Sequence, residues 1–218
     1  MGFFDLFRVH EPPLIRQCLD DMSAMLETAY SMFIAASAYL LDNETPPFDL
    51  EAKDRLINEK ERTIRQAVLE HVAIDPTRET VFSLVLVSIV QDAERIGDLA
   101  KSLVEIAGVA RKPRMGGNVQ VLRGVRDQTV QMFENTRAAF VEGEIDLARQ
   151  VLEDNRAIKA RITSFIMDLA GQVDIGANEA LVLGIAARMI GRTSSHLSNI
   201  ASAVALPFDQ IRRNDESV

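Results

Sequence analysis

The chain has no tryptophan, one cysteine and three histidines among its 218 residues. A lone thiol, Cys18, excludes an intrachain disulfide framework and fits a reducing compartment. None of His10, His71 and His196 has Glu three residues before it, which excludes the Glu-x-x-His pairs of di-iron bundle enzymes. Basic residues are in the minority. Against 24 Lys and Arg stand 32 Asp and Glu, a net charge of −8 with a pI near 5.0. No basic stripe interrupts that balance, so nucleic acid is not an expected partner. A Gly-rich phosphate loop and a Ser-His-Asp set are both missing, and Ser194-Ser195 lacks a strand-turn-helix context. The expectation is a protein that is not an enzyme.

Long apolar runs are also missing. Leu84-Val85-Leu86-Val87 with its apolar neighbours reaches about half of the roughly 20 residues that span a bilayer. The start, Met1 to Arg8, has neither the basic n-region nor the apolar h-region of a secretory signal. Leu6 stands where a myristoylation site has Ser or Thr. Together these features predict a cytoplasmic location. Phe3, Phe4, Leu6 and Phe7 could touch a membrane surface or a transporter, or pack on the first helix.

What is present is helical periodicity. Apolar residues make up 47% of the chain, enough for a substantial core, and no segment alternates as a strand does. The spacing predicts six helices: Pro13 to Leu41, Asp49 to Val72, Asp75-Pro76 to Gly108, Val119 to Val141, Asp146 to Ala170, and Asn178 to Leu206. Pro46-Pro47 ends the first. Asp75-Pro76 reads as an N-cap followed by proline at the first helical position. Glu142-Gly143-Glu144 and Asp174-Ile175-Gly176 break the later ones, and Pro207 ends the last. Arg111 to Gly117 carries charge, proline and two glycines without apolar periodicity, as a linker does. The predicted organisation is therefore one three-helix unit over 12–110, a linker over 111–117, a second three-helix unit over 118–206, and a flexible C-terminal tail over 207–218.

The two units read as a repeat. Glu61-Arg62-Thr63-Ile64-Arg65 aligns with Asn155-Arg156-Ala157-Ile158-Lys159, Val68 with Ile162, and Val72 with Ile166. In the third helices Arg95 aligns with Arg192 and Leu103 with Ile200. Helix order, lengths and breaks agree as well.

Chemistry concentrates in Glu94-Arg95-Ile96-Gly97-Asp98. Glu94 and Asp98, four residues apart, stack on one helix face and oppose each other by roughly 0.2–0.5 kcal/mol on an isolated helix. Gln91, Lys101 and Glu105 share that face, and Ile89, Ala93, Ile96, Ala100 and Leu103 form the neighbouring apolar one. Gly97 leaves room for a close neighbour. Asp92 falls near the opposite side and is left out of the site. Either a multivalent cation compensates the acids, or they belong to a solvated face in which Asp98 pairs with Lys101 and Glu61 with Arg65. His196 and Asn199, three apart, suit interhelical hydrogen bonding, capping or plain exposure better than metal ligation. The stretch Val81–Val90 is apolar nearly all round, as in a helix buried on several sides, and an exposed part of it would favour a homodimer.

Two three-helix repeats with Glu-Arg-Ile-Gly-Asp in the third helix resemble the PhoU family over residues 12 to 206. Asp146 to Asp154 and His196-Leu197-Ser198-Asn199-Ile200-Ala201 are similar to the family pattern as well. The resemblance implies an all-α fold of two pseudo-symmetric three-helix bundles with up-down topology. It implies a regulator of phosphate uptake and phosphate signalling that contacts a phosphate transporter, a sensor kinase or both. It also implies a metal site, with Glu61 as the third carboxylate beside Glu94 and Asp98, holding one transition metal (Fe, Mn or Zn). Oxygen donors suit Zn less naturally than the others. In the second repeat Gly191, Ser195, Asn155 and Lys159 stand where relatives carry acids, and the metal site there is expected to be absent. The alternative is a non-catalytic helical scaffold or dimerising adaptor that kept the fold and changed partner.

Overall fold

The structure, a computed structural model, describes residues 13–74 and 80–212. The expected Asp75-Pro76 cap, His10, the Phe-rich start and residues 213–218 lie outside the described residues. Six helices follow in order: α1 (Pro13–Leu41), α2 (Leu50–Ile74), α3 (Thr80–Val109), α4 (Gly117–Glu142), α5 (Ile145–Gly171) and α6 (Ala177–Ala205). Among the described residues there is no strand. The fold is all-α, as predicted, and helix bounds fall within two residues of the expected ones wherever both ends are described.

Local chemistry sets the breaks. Asp49 caps α2, its Oδ1 accepting the Glu51 backbone N–H at 2.9 Å. Gly143 adopts a left-handed φ of 72°, and its N–H closes α4 onto the Ala139 carbonyl. The linker is tied at its start and its middle. Asn178 Oδ1 accepts the Arg111 N–H at 3.0 Å, and Asn43 Oδ1 accepts that of Arg114 at 3.0 Å.

Helices α1, α2 and α3 pack on one another, as do α4, α5 and α6, and the two bundles join through α3 on α6 and α1 on α4. Helices α1, α3, α4 and α6 therefore form an inner layer, with α2 and α5 flanking it. The aligned apolar pairs share their burial. Ile64 and Ile158, and Leu103 and Ile200, are all fully enclosed. The all-apolar part of α3 buries Phe82, Val85, Leu86, Ile89 and Val90 and leaves Val81 and Leu84 outward.

Although no unbroken apolar run is long, Arg16–Leu41 in α1 is long and apolar enough to cross a membrane by length and composition. Over half of that window, 56%, is buried inside the bundle. Met22, Met25, Ala29, Met32, Phe33, Ala36 and Leu40 are its core side, and that role accounts for its apolarity.

Aromatic and ionic contacts fasten α1 to α4. Phe133 meets Tyr30 edge-on with ring centroids 5.5 Å apart and Phe33 at 5.4 Å. Asp42 receives Arg123 at 2.7 Å and Arg126 at 2.5 Å, and Glu27 pairs with Arg137. Beyond α6, a 3-10 turn over Phe208–Gln210 brings residues 211–212 back onto the bundle. There Arg212 donates its N–H to Ser202 Oγ at 3.0 Å and its guanidinium to the Ser88 carbonyl at 3.1 Å.

Because Phe133 packs into the junction of the bundles, Phe133→Ala is expected to destabilise the whole chain by about 3–5 kcal/mol. The urea unfolding curve should stay a single transition at a lower midpoint. Two separated transitions would mean that the bundles fold independently.

A candidate acidic site and its neighbours

Helices α2 and α3 bring four carboxylates to one place. Glu94 and Asp98 come from α3, as the i,i+4 spacing requires, and Asp54 and Glu61 from α2. All three of the others act electrostatically on Glu94. Gly97 permits the approach. A Cβ there would lie 3.0 Å from Ile57 Cδ1 and 3.6 Å from Asp54 Oδ1. Burial, then the neighbouring Asp98, Glu61 and Asp54, push the Glu94 carboxyl up from 4.5 to about 7. A proton held on Glu94 lets it hydrogen-bond to Asp98 rather than repel it.

The chain supplies its own cation. Lys101 Nζ stands 2.7 Å from Asp54 Oδ2 and 3.0 Å from Asp98 Oδ1. Burial opposes its charge, yet the two hydrogen bonds outweigh burial and hold the ammonium above its usual range. Arg65 engages Glu61 at 2.9 Å. Both pairs anticipated for a salt-bridged face are thus formed. Among the described residues no group of three or more His, Cys, Asp or Glu is arranged to hold a metal ion. As arranged, Glu61, Glu94 and Asp98 are each engaged by other groups of the chain. Lys101 lies between Asp98 and Asp54, Arg65 engages Glu61, and the Glu94 carboxyl, pushed up to about 7, holds its proton about half the time at neutral pH.

Asp54 was not foreseen. Only 5% of it is exposed, Asn58 donates to its Oδ2 at 3.0 Å, and its Oδ1 is buried with no hydrogen-bond partner. The signal was present. Asp54 falls on the stripe of Ile57, Ile64 and Val68, where an acid is out of place unless paired.

Asp92 lies on the side opposite Glu94 and Asp98, as expected, and that side is an interface. It is fully buried between α3 and α6. Its Oδ1 meets His196 Nδ1 at 2.8 Å and accepts from Asn199 Nδ2 at 2.9 Å, while Arg212 Nε lies 3.2 Å from Oδ2. Spacing of three from Ile89 and four from Ile96 puts it on the inner stripe, which the charge had obscured. Interhelical hydrogen bonding is the role His196 takes.

At the corresponding place in the second repeat the polar groups are neutral. Asn155, 4% exposed, accepts from Ser194 Oγ at 3.1 Å, and Ser195 Oγ lies 3.5 Å from the same oxygen. Gly191 lets α5 come close, since a Cβ there would stand 2.6 Å from Ile162 Cδ1.

Comparison with known proteins agrees with this architecture. Residues 19–107 match the family model described as PhoU domain. Over 199 residues the chain is 24% identical to a phosphate-specific transport system accessory protein, PhoU homolog 1 of Thermotoga maritima, covering 88% of this chain and 79% of the relative. The crystal structure of PhoU from Pseudomonas aeruginosa superposes with a TM-score of 0.76 at 21% identity, over 88% of this chain and 95% of the other. The phosphate transport system regulatory protein PhoU from Streptococcus pneumoniae gives 0.71 at 15% identity, over 94% and 95%.

A carboxyl whose folded pKa is raised stabilises the fold below its unfolded value and loses that contribution as pH climbs through the folded one. For Glu94 the window runs from about 4.5 to about 7. Glu94→Gln should therefore gain in melting temperature relative to the parent at pH 8 more than at pH 5. An equal effect at both pH values would mean that Glu94 titrates normally.

Proposed function

Because residues 19–107 belong to the PhoU domain family and the chain as a whole takes the PhoU fold, we infer that this protein is an accessory regulator of phosphate uptake and phosphate signalling that acts by protein–protein contact. Support comes from the extent of the likeness, which spans both repeats of the chain and most of an accessory protein of a phosphate transport system. The partner in this reading is a phosphate transporter, a sensor kinase or both, met from the cytoplasmic side. Helix faces make the contact and no covalent chemistry is needed. The carboxylates of the first repeat are held in ion pairs and a hydrogen bond rather than poised toward an open substrate cleft. Val81 and Leu84, outward on α3, offer an apolar face for a second copy.

A metal-dependent form of this reading rests on the gathering of Glu94, Asp98 and Glu61 at one place, beside the buried Asp54 Oδ1 that has no hydrogen-bond partner. In that form Fe, Mn or Zn is held by Glu94, Asp98 and Glu61, and Lys101 leaves Asp98.

Deleting the gene should derepress phosphate-starvation reporters in phosphate-replete medium, and restoring it should repress them again. Unchanged reporters would favour the scaffold alternative. Lys101→Met should lose about 2–3 kcal/mol of stability, less than the full cost of breaking a buried pair because Lys101 is partly exposed. Its unfolding temperature should rise with added Mn²⁺ while that of the parent does not. Elemental analysis after anaerobic iron and manganese loading decides the metal-dependent form. No bound metal in the parent retires it.

A further inference from the structure

Helices α5 and α6 of the second repeat border a shallow, open surface groove. Two adjoining hollows of about 560 and 250 Å³ share Arg188 and Arg192 on their walls. The floor is apolar, with Ile166 from α5 and Leu181 and Ile185 from α6. The rim is cationic, with Lys159 from α5 and Arg188 and Arg192 from α6. On α6, Leu181, Ile185, Arg188 and Arg192 recur every three or four residues and so run along one face. At about 1.5 Å per residue that stripe is roughly 16 Å long, or three helical turns.

The rim is unusual in this chain. Acids outnumber bases to a net charge of −8, yet none of the three cations has an acid three or four positions away. None of them is engaged in an ion pair among the described residues. Arg188 and Arg192 stack as like charges on one face, an arrangement that disfavours the bare helix and favours an anionic visitor. In the first repeat, by contrast, Lys101 is paired with Asp54 and Asp98.

We propose that this groove docks an acidic amphipathic helix of a partner protein, its apolar stripe on Ile166, Leu181 and Ile185 and its carboxylates on Lys159, Arg188 and Arg192. The proposal names the partner chemistry behind the protein–protein contact inferred above and rests on that reading. A helix laid in a groove presents anchors at i, i+3, i+4 and i+7, and Leu181 and Ile185 stand one turn apart to meet them. A small oxyanion fits less well. The wall hydroxyls already donate to backbone, Thr163 Oγ1 to the Lys159 carbonyl at 2.9 Å and Ser195 Oγ to that of Gly191 at 3.0 Å.

The test uses the full chain and a fluorescent 14-residue peptide with Leu at i, i+3, i+4 and i+7 and Glu on both flanks. Anisotropy should show saturable binding that weakens at least roughly tenfold in Arg188→Glu/Arg192→Glu and falls with salt. Unchanged circular dichroism and melting temperature would show that the variant is folded. No binding of the acidic peptide overturns the proposal. So does equal binding of a Lys-for-Glu peptide, or equal binding by the charge-reversed variant. Inorganic phosphate and vesicles containing anionic lipid are titrated in parallel. If either binds through Arg188 and Arg192 while the peptide does not, the groove is an oxyanion or membrane site instead. In a deletion strain, repression restored by the parent and by the double variant alike overturns the groove and leaves the regulator reading standing. Repression restored by neither the parent nor the variant counts against the regulator itself.

Discussion

The joining of the two bundles turns on a buried negative charge. Asp92 is fully enclosed where α3 crosses α6. An ionised carboxylate taken out of water costs several kcal/mol unless its lone pairs are met. Its partners are His196 and Asn199 from the other repeat, and Arg212 from the segment after α6. None of them belongs to the bundle that owns Asp92. Apolar contact alone would let α3 slide along α6, since one Leu or Ile resembles the next. Directional bonds to one carboxylate remove that freedom. The aromatic contact of Phe133 with Tyr30 and Phe33, and the double arginine grip on Asp42, then fix α1 against α4.

Similar backbones have been given opposite electrostatic surfaces. In the first repeat the face shared by α2 and α3 gathers Asp54, Glu61, Glu94 and Asp98, and the chain answers them with Lys101, Arg65 and a proton on Glu94. In the second, Asn155, Ser194 and Ser195 close a neutral network beneath a rim of Lys159, Arg188 and Arg192. The carbon core tolerates this because the stripes of Ile64 and Ile158, or of Leu103 and Ile200, are set by helical period and not by charge. Surface chemistry can diverge while packing stays put.

Much of the fold was legible in the sequence because long helices carry their period openly and proline and glycine mark the breaks. The carboxylate pair Glu94 and Asp98, and the pairing of Asp98 with Lys101 and of Glu61 with Arg65, were legible for the same reason: within one helix, spacing fixes adjacency. What spacing along one helix cannot show is which residues of another helix arrive opposite. Lys101 was assigned to Asp98, but its shorter contact is with Asp54 across the gap between α3 and α2. Asp92 was placed on the side opposite Glu94 and Asp98, which holds, but that this side is buried against α6 was not read. The Ile89–Asp92–Ile96 spacing placed it inward, and only the α6 partners explain how it can stay there.

The compensation of Asp92 also has an order in time. His196 and Asn199 lie 104 and 107 positions further along the chain. A ribosome that has delivered the first three helices has delivered a bundle whose contact face holds a carboxylate with no counterpart. Water must solvate that face until α6 emerges. The first repeat therefore waits, half finished, for the second. A nascent chain stalled in the linker would present that open apolar and anionic face to chaperones, and would not be a miniature of the finished protein.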